Sequence, residues 1–290
     1  MLRTLKTEDW FNKDGFPIAV ERRHPQKPFG RHKHDFTEIV IITGGRGLHV
    51  AGKESWPLVA GDVFVIGGPL SHDYQNLENL CLVNVLFRPD KLKLKLLDLA
   101  TLPGYHALFN LEPMWRRRHQ FTSRLRISPG ELAVAMGFVE QLDEELKRRS
   151  AGFGFMAMAL FMQLVAYLSR CYGRSKNANS RALLKIAEAI AHIELHSDRD
   201  VHLDELAQMA RMSKRSFIRA FQAATGSSPI SHLIEQRIRR AAELLRKDGQ
   251  NITEIAFQVG FGDSNYFSRQ FRKTFGESPS EYRKRQSLPN

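Results

Sequence analysis

The chain has little with which to staple itself or to enter a membrane. Its 290 residues include only two cysteines, Cys81 and Cys171, in no recognisable spacing, so a disulfide framework is not expected. Met1-Leu-Arg-Thr is not followed by an apolar run, so no secretory leader is expected either. Long hydrophobic runs are missing: the most apolar stretch, residues 153–168, is interrupted by Gln163 and small residues, short of a transmembrane span. A cytoplasmic protein with no membrane partner is the expectation. Acidic charge is also in deficit, 31 Asp/Glu against 43 Lys/Arg for a net of +12, which suits a polyanionic partner. The length allows two domains with real cores.

The basic charge is unevenly placed. Residues 211–285 hold 15 Lys/Arg against 7 Asp/Glu, whereas residues 181–210 hold 3 against 6. Residues 1–180 are net positive too, 25 against 18, so charge alone does not locate a site. A repeat does. Leu203-Asp-Glu-Leu206-Ala207 is echoed by Ile252-Thr-Glu-Ile255-Ala256 at an offset of 49. After a one-residue slip the echo continues at 50: Phe217 with Phe267, Phe221 with Phe271, Gly226 with Gly276, Pro229 with Pro279. A slip that falls in a turn and spares the flanking helical patterns indicates duplicated helical units.

Each copy reads as helix, short turn, helix. Ser213 and Asp263 are placed to cap the second helix of each copy, and Asn251 with Glu254 to form a capping box on the first helix of copy two. Gly226 and Gly276 stop the second helices, with Pro229 and Pro279 just beyond. Two helices joined by a short turn form the helix-turn-helix that enters a DNA major groove. With Phe217 and Phe221 turned inward, Lys214, Arg215, Ile218 and Arg219 occupy the free face. Their counterparts are Ser264, Asn265, Ser268 and Arg269. Arginine suits guanine, asparagine suits adenine, and an exposed isoleucine suits a thymine methyl. A few surface arginines alone would mean a solvated face; the same four positions used in both copies favour readers of double-stranded DNA.

Residues 181–285 resemble the DNA-binding domain of the AraC/XylS family of bacterial transcription regulators. The pattern is carried by Arg237-Ile238, Ala241, Leu244-Leu245, Ile252, Ile255-Ala256, Gly260-Phe261, Tyr266-Phe267, Phe271, Phe275-Gly276 and Ser278-Pro279. The resemblance implies a long connecting helix, here Ser231 to about Lys247, that sets both recognition helices on successive major grooves, and it implies RNA polymerase as a partner. Arg237, Arg239 and Arg240 on that helix either touch phosphates or stay solvated.

The first half reads as strands. His32, His34, Phe36, Glu38, Val40 and Ile42 alternate with Lys33, Asp35, Thr37, Ile39 and Ile41, which points His32, His34 and Glu38 off one face of one strand. Gly44-Gly45-Arg46-Gly47 reads as a turn before a return strand at Leu48-His49-Val50, and Gly67-Gly68-Pro69 as a break before His72. Leu80 to Phe87 is a further apolar strand. Short strands and glycine turns without intervening helices suggest a small β-barrel or jelly roll. His32-x-His34-x3-Glu38 with Gly45, then Gly61, His72 and Asn76, resembles the two motifs of the cupin superfamily, except that Gly67 and Pro69 stand where proline and glycine are usual. In cupin enzymes the residues matching His32, His34, Glu38 and His72 hold a divalent metal, and three histidines with a carboxylate are able to do so. Regulators that keep the barrel bind a small molecule without metal, so no cofactor is required, and the same four residues form the effector pocket either way. His34-Asp-Phe-Thr-Glu-Ile-Val-Ile-Ile, Gly47-Leu-His-Val and Leu80 to Phe87 are similar to the sensor domains of the L-rhamnose-responsive members, which implies a sugar effector.

Residues 90–128 are less regular, with helical spacing from Lys91 to Leu99 and a solvated basic run at Arg116-Arg117-Arg118-His119. Asp9-Trp10-Phe11 reads as a packing anchor. Two helices follow from Pro129 to Tyr172, striped by Leu132, Met136, Val139, Leu142 and Leu146, then by Phe155, Met158, Leu160-Phe161, Leu164 and Leu168. In family members such helices pair two subunits; the stripes equally suit core against the barrel. The expected fold is therefore α+β in two domains: a cupin-like effector-binding barrel over 1–128, a helical dimerisation segment over 129–172, a linker over 173–180, and an all-α DNA-binding domain over 181–290. No catalytic residue is needed. A metal-dependent cupin enzyme fused to a DNA-binding tail, and an effector-independent scaffold, are the competing expectations.

Overall fold

Strands fill the first half of the chain: β1 (Arg3–Leu5), β2 (Ile18–Arg23), β3 (His32–His34), β4 (Thr37–Ala51), β5 (Glu54–Val59), β6 (Asp62–Gly67), β7 (His72–Phe87) and β8 (Leu125–Arg126), with a helical turn α1 (Thr7–Trp10) after β1. The computed structural model describes residues 2–68, 70–92, 98–116, 125–247 and 249–286. Pro69, the middle of the Lys91–Leu99 segment and Arg117 to His119 of the basic run lie outside the described residues. The chain divides into two compact units, Met1–Ala187 and Glu188–Asn290.

The strands form one sheet in the order β1-β3-β7-β4-β6-β8, with β2 added on β7 and β5 on β4. The two long strands organise it. Residues 37–41 of β4 pair with β6, while residues 46–51 pair with β5. Register shifts between Ile42 and Leu48, where β4 runs against β7, mark the bend between those halves. The glycines read as a turn are thus bulges inside one continuous strand. Gly45 has φ +68°, and a Cβ there would sit 2.0 Å from the Asn79 carbonyl oxygen. Only glycine admits that approach. On the facing strand Asn76 and Asn79 take φ of 50° and 48°, so β7 starts at His72 rather than Leu80, and Asn76 is an exposed bend residue.

A second correction concerns the histidines. His32, His34 and Glu38 do not lie on one strand: β3 ends at His34 and β4 starts at Thr37. Asp35 breaks the run because its carboxylate accepts from the Thr7 amide at 2.9 Å and hydroxyl at 2.7 Å, tying down the start of α1.

One face of the sheet packs Val40, Ile42, Phe64, Ile66 and Leu82 together. The opposite face, with Ile39, Ile41, Val63, Val65 and Val83, is equally buried. That explains why these strands are runs of apolar residues rather than alternations. Helices cover the outer face. After η1 (Leu99–Thr101) come α2 (Pro103–Tyr105), a π-helical turn (His106–Leu111) and α3 (Glu112–Arg116), then α4 (Pro129–Arg148) and α5 (Phe153–Gly173). α4 starts at a Ser128–Glu131 capping box and is tied to β2 by Asp143 and Arg22 at 2.9 Å. Phe161 of α5 meets Phe87 of β7 at 5.2 Å between ring centroids. α5 has 21 residues and a mean hydropathy of 1.4, enough by length and composition to cross a membrane, which the sequence reading did not anticipate. In this fold Leu160, Phe161, Leu164 and Leu168 make its apolar side a core face. Phe155, assigned to the same stripe, is instead 81% exposed.

The next helix, α6 (Ala178–Leu195), starts inside the expected linker and carries the boundary between the units. Residues 178–180 are helical, the turn closing with Arg181 N–H donating to Asn177 O at 2.9 Å. The second unit continues with α7 (Leu203–Met209), α8 (Lys214–Thr225), α9 (Pro229–Leu245), α10 (Ile252–Gln258), α11 (Ser264–Phe275) and α12 (Pro279–Gln286). The repeat is exact in length: α7 and α10 have 7 residues, α8 and α11 have 12. Ser213 and Asp263 cap as expected, Asn251 and Glu254 close their box, and Gly226 and Gly276 end the helices in the left-handed region. Phe217 and Phe221 cross edge-on at 5.6 Å, and Phe267 and Phe271 do so at 5.7 Å. The turns match as well, since Arg211 at φ 53° stands where Gly260 has φ 95°. Gly260 is further constrained, because a Cβ would lie 2.8 Å from Ser197 O and 2.9 Å from Arg237 Nε. Arg237 is a strut: its guanidinium donates to Ser197 O and Arg199 O, each at 2.7 Å. Arg239 pairs with Glu235 at 2.6 Å and Arg240 with Asp198 at 3.6 Å.

Burial pushes the Glu194 carboxyl up to about 7, only partly opposed by Arg239. The folded chain therefore keeps a proton that the unfolded chain releases from about pH 4.5 upward, and this unit loses stability as pH rises through that window toward 7. Glu194→Gln should remove the loss and still accept the 3.3 Å bond from Gln236. The variant is expected to gain on the order of 1–3 kcal/mol at pH 8, the gain vanishing near pH 4. Unfolding curves at the two pH values check this.

Candidate functional site

The four residues singled out in the first half converge. Glu38 Oε1 lies 3.4 Å from His34 Nε2 and 3.3 Å from His72 Nε2. β3 meets β7 at His32 opposite His72, and those two rings stand 4.3 Å apart. Each imidazole is oriented by its other nitrogen. Nδ1 of His34 donates to Phe36 O at 2.6 Å, that of His32 to Gly30 O at 2.9 Å, and that of His72 to Leu70 O at 3.4 Å. With Nδ1 donating to a carbonyl, Nε2 of His34 and of His72 faces Glu38, and a ring that carries a second proton there pairs with the carboxylate. The cluster is buried. Burial opposes charge on Glu38, but His34 and His72 outweigh it and hold the carboxyl below its usual range. Burial likewise disfavours the His34 imidazolium, and Glu38 more than compensates, so its pKa is raised. His32 is pushed down to about 4 by burial and by its neighbour His72, and is neutral at pH 7.

A small cleft opens on this cluster. His32 and Glu38 line it, while His34 and His72 sit behind the wall. The remaining polar lining, Glu21, Arg23, Gln26 and Asn84, was missed from the sequence, as was the aromatic wall of Trp10 and Phe29. Trp10 is thus more than a packing anchor. The period-two alternation of β2 was the available signal for Glu21 and Arg23, and register then places Glu21 opposite Asn84. Another histidine in this half, His49, is fully buried among Trp56, Phe64 and Tyr74, 5.4 Å from the His72 ring.

In the second unit, Lys214, Arg215 and Arg219 of α8 and Asn265 and Arg269 of α11 are exposed. Ile218, Ser264 and Ser268 are half-buried, so Ile218 presents less surface than expected. Ser268 Oγ donates to Ser264 O at 2.9 Å, within its own helix. Lys214 Nζ is paired with Asp204 of α7 at 2.8 Å. The Arg269 guanidinium lies 5.8 Å from the centre of the Tyr266 ring.

A sheet with a polar cleft, and two matched helix-turn-helix units with basic faces in the same chain, define a ligand-responsive DNA-binding transcription regulator. The chain belongs to the AraC family: residues 17–165 match the AraC-like ligand binding domain and residues 206–285 a helix-turn-helix domain. It is 31% identical over 281 residues to the HTH-type transcriptional activator RhaR of Mannheimia succiniciproducens, covering 97% of this chain and 96% of that one. It is likewise 31% identical over 283 residues to the HTH-type transcriptional activator RhaS of Escherichia coli, covering 97% of each. Among solved structures, the DNA-binding domain of AdpA in complex with a target DNA aligns at 35% identity with a TM-score of 0.34, over 35% of this chain and 91% of that one. The family is one of transcription regulators and not of enzymes, which removes the fused-enzyme expectation.

Proposed function

We propose that a small sugar, L-rhamnose or a related metabolite, enters the cleft of the first unit and alters how the chain occupies DNA and activates transcription in the cytoplasm. The observation that carries this reading is the cleft itself, which sets carboxylate, amide and imidazole groups beside aromatic faces. Sugars need both: hydroxyls that donate and accept, and apolar C–H faces. Lys214, Arg215, Ile218 and Arg219 of one unit, and Ser264, Asn265, Ser268 and Arg269 of the other, face DNA in successive major grooves, with Arg219 and Arg269 reading base edges. A homodimer through α4 and α5 fits the exposed Val134, Phe155 and Met156, and RNA polymerase is the downstream partner. No cofactor is required. The His34, Glu38 and His72 donor atoms all lie within 4.8 Å of one another, with ring tautomers suited to ligation. The same set, joined by His32, would hold a divalent metal that supplies open positions for sugar hydroxyls.

The test is the melting of the full chain with L-rhamnose, L-fucose and neutral hexoses, with added manganese, zinc or chelator. A ligand at a hundredfold excess over its Kd stabilises the fold by about 2.7 kcal/mol. A sugar-specific shift in the wild type that Glu38→Ala abolishes supports the reading, and its dependence on metal decides the metal proposal. No shift from any sugar contradicts it and favours an effector-independent scaffold.

A further inference from the structure

We propose that Glu21 and Arg23 make the cleft selective for uncharged polyhydroxyl effectors, shutting out the corresponding sugar acids and sugar phosphates. This rests on the reading of the cleft as the effector site and names the ligand class more narrowly.

The argument starts from strand geometry. In β2, Glu21 and Arg23 share one face, and Arg22 takes the other. Arg22 leaves the cleft entirely, bonding Asp143 on α4 at 2.9 Å. Of two neighbouring arginines, therefore, only one reaches the ligand space. Arg23 is the single lysine or arginine among the described residues that line the cleft, against two carboxylates, Glu21 and Glu38. It is also already engaged. Its Nη2 lies 3.4 Å from Glu21 Oε2, and its guanidinium carbon lies 5.4 Å from the centre of the Trp10 ring. Arg3, stacked on Phe29 at 4.9 Å, is exposed and is not part of the lining.

An incoming anion would thus meet two carboxylates and one committed cation. Its own oxygens, moreover, only accept hydrogen bonds. One acceptor in the wall is left waiting for a donor: Asn84 Oδ1 is buried without a hydrogen-bond partner, opposite Glu21 in the β2–β7 register. Ligand hydroxyls donate to Asn84, Glu21 and Glu38; a carboxylate or phosphate cannot.

The experiment is calorimetric titration of the full chain with matched sets, namely glucose, galactose and mannose, the uronates of each, and the 6-phosphates of each, together with L-rhamnose and L-fucose. In the wild type, at least one neutral sugar should bind and its charged counterparts should bind about tenfold or more weaker. Glu21→Gln should release Arg23 for bidentate pairing with a carboxylate and narrow that gap by improving uronate binding, and Arg23→Gln placed on top of it should reverse the gain. If Glu21 were merely structural, the variant would weaken neutral and acidic sugars alike, which overturns the proposal. Charged sugars binding the wild type as tightly as their neutral counterparts also overturn it, while leaving the sugar reading intact. Failure of every compound to bind removes both.

Discussion

Truncating Phe267 to alanine is expected to lower the stability of the second unit by about 3–5 kcal/mol. Phe267 is fully buried in a cluster that gathers Ile238 and Ala241 of α9, Ile255 and Ala256 of α10, Phe271 of α11 and Tyr282 of α12. The side chain therefore joins the connecting helix to every element of the second helix-turn-helix, and its removal leaves a void that no single neighbour can fill. A unit of about this size has roughly 5–15 kcal/mol in total, so the loss is a large share. Amide hydrogen exchange of α10 and α11 in the intact chain measures it, because the slowest amides report global opening. Exchange faster by less than about tenfold, equivalent to about 1.4 kcal/mol, would contradict the packing described. The matched Phe217→Ala should act through the first copy, where Phe217 packs edge-on to Phe221.

The second large effect belongs to the reader arginines. Arg219→Ala and Arg269→Ala are each expected to weaken specific DNA binding by about 1–3 kcal/mol and to relax preference at one base position. The two residues lie on different helices, α8 and α11, and share no partner among the contacts described, so the double variant should lose the sum, roughly 2–6 kcal/mol. Lys214 is a useful contrast. Its ammonium is already paired with Asp204, so Lys214→Ala should change affinity less and specificity hardly at all. Binding of both arginine variants to randomised duplexes checks the assignment, and an unchanged sequence preference in both would remove these residues as readers.

Local rules were legible in the sequence and long-range ones were not. Ser213, Asp263, Gly226 and Gly276 act within one turn of their own helices, and the duplication exposed them twice. Gly44 to Gly47 illustrates the other case. Glycines serve a turn or a bulge equally well, and the choice is set by the Asn79 carbonyl pressed against Gly45, more than thirty positions away. Asp35 broke an apparently continuous strand through its bonds to Thr7. The histidine cluster survived that error because its members are brought together by β3, β4 and β7 whichever way the break falls. The rest of the cleft was hidden, since Glu21, Arg23 and Asn84 become neighbours only through the β2–β7 register, and Trp10 only through α1. The helix expected from Arg181 starts earlier for a related reason: Asn and Ser residues favour linkers and helix starts alike, and Ala178–Leu195 is one helix.

The most direct test of the account is hydroxyl-radical footprinting of the full chain on duplexes it selects from a randomised library, with and without L-rhamnose, L-fucose and neutral hexoses. Two protected patches on one face, about one helical turn apart, are predicted, with occupancy changed by at least one sugar in the wild type and by none in Glu38→Ala. A footprint that no sugar alters would contradict the coupling of cleft to DNA.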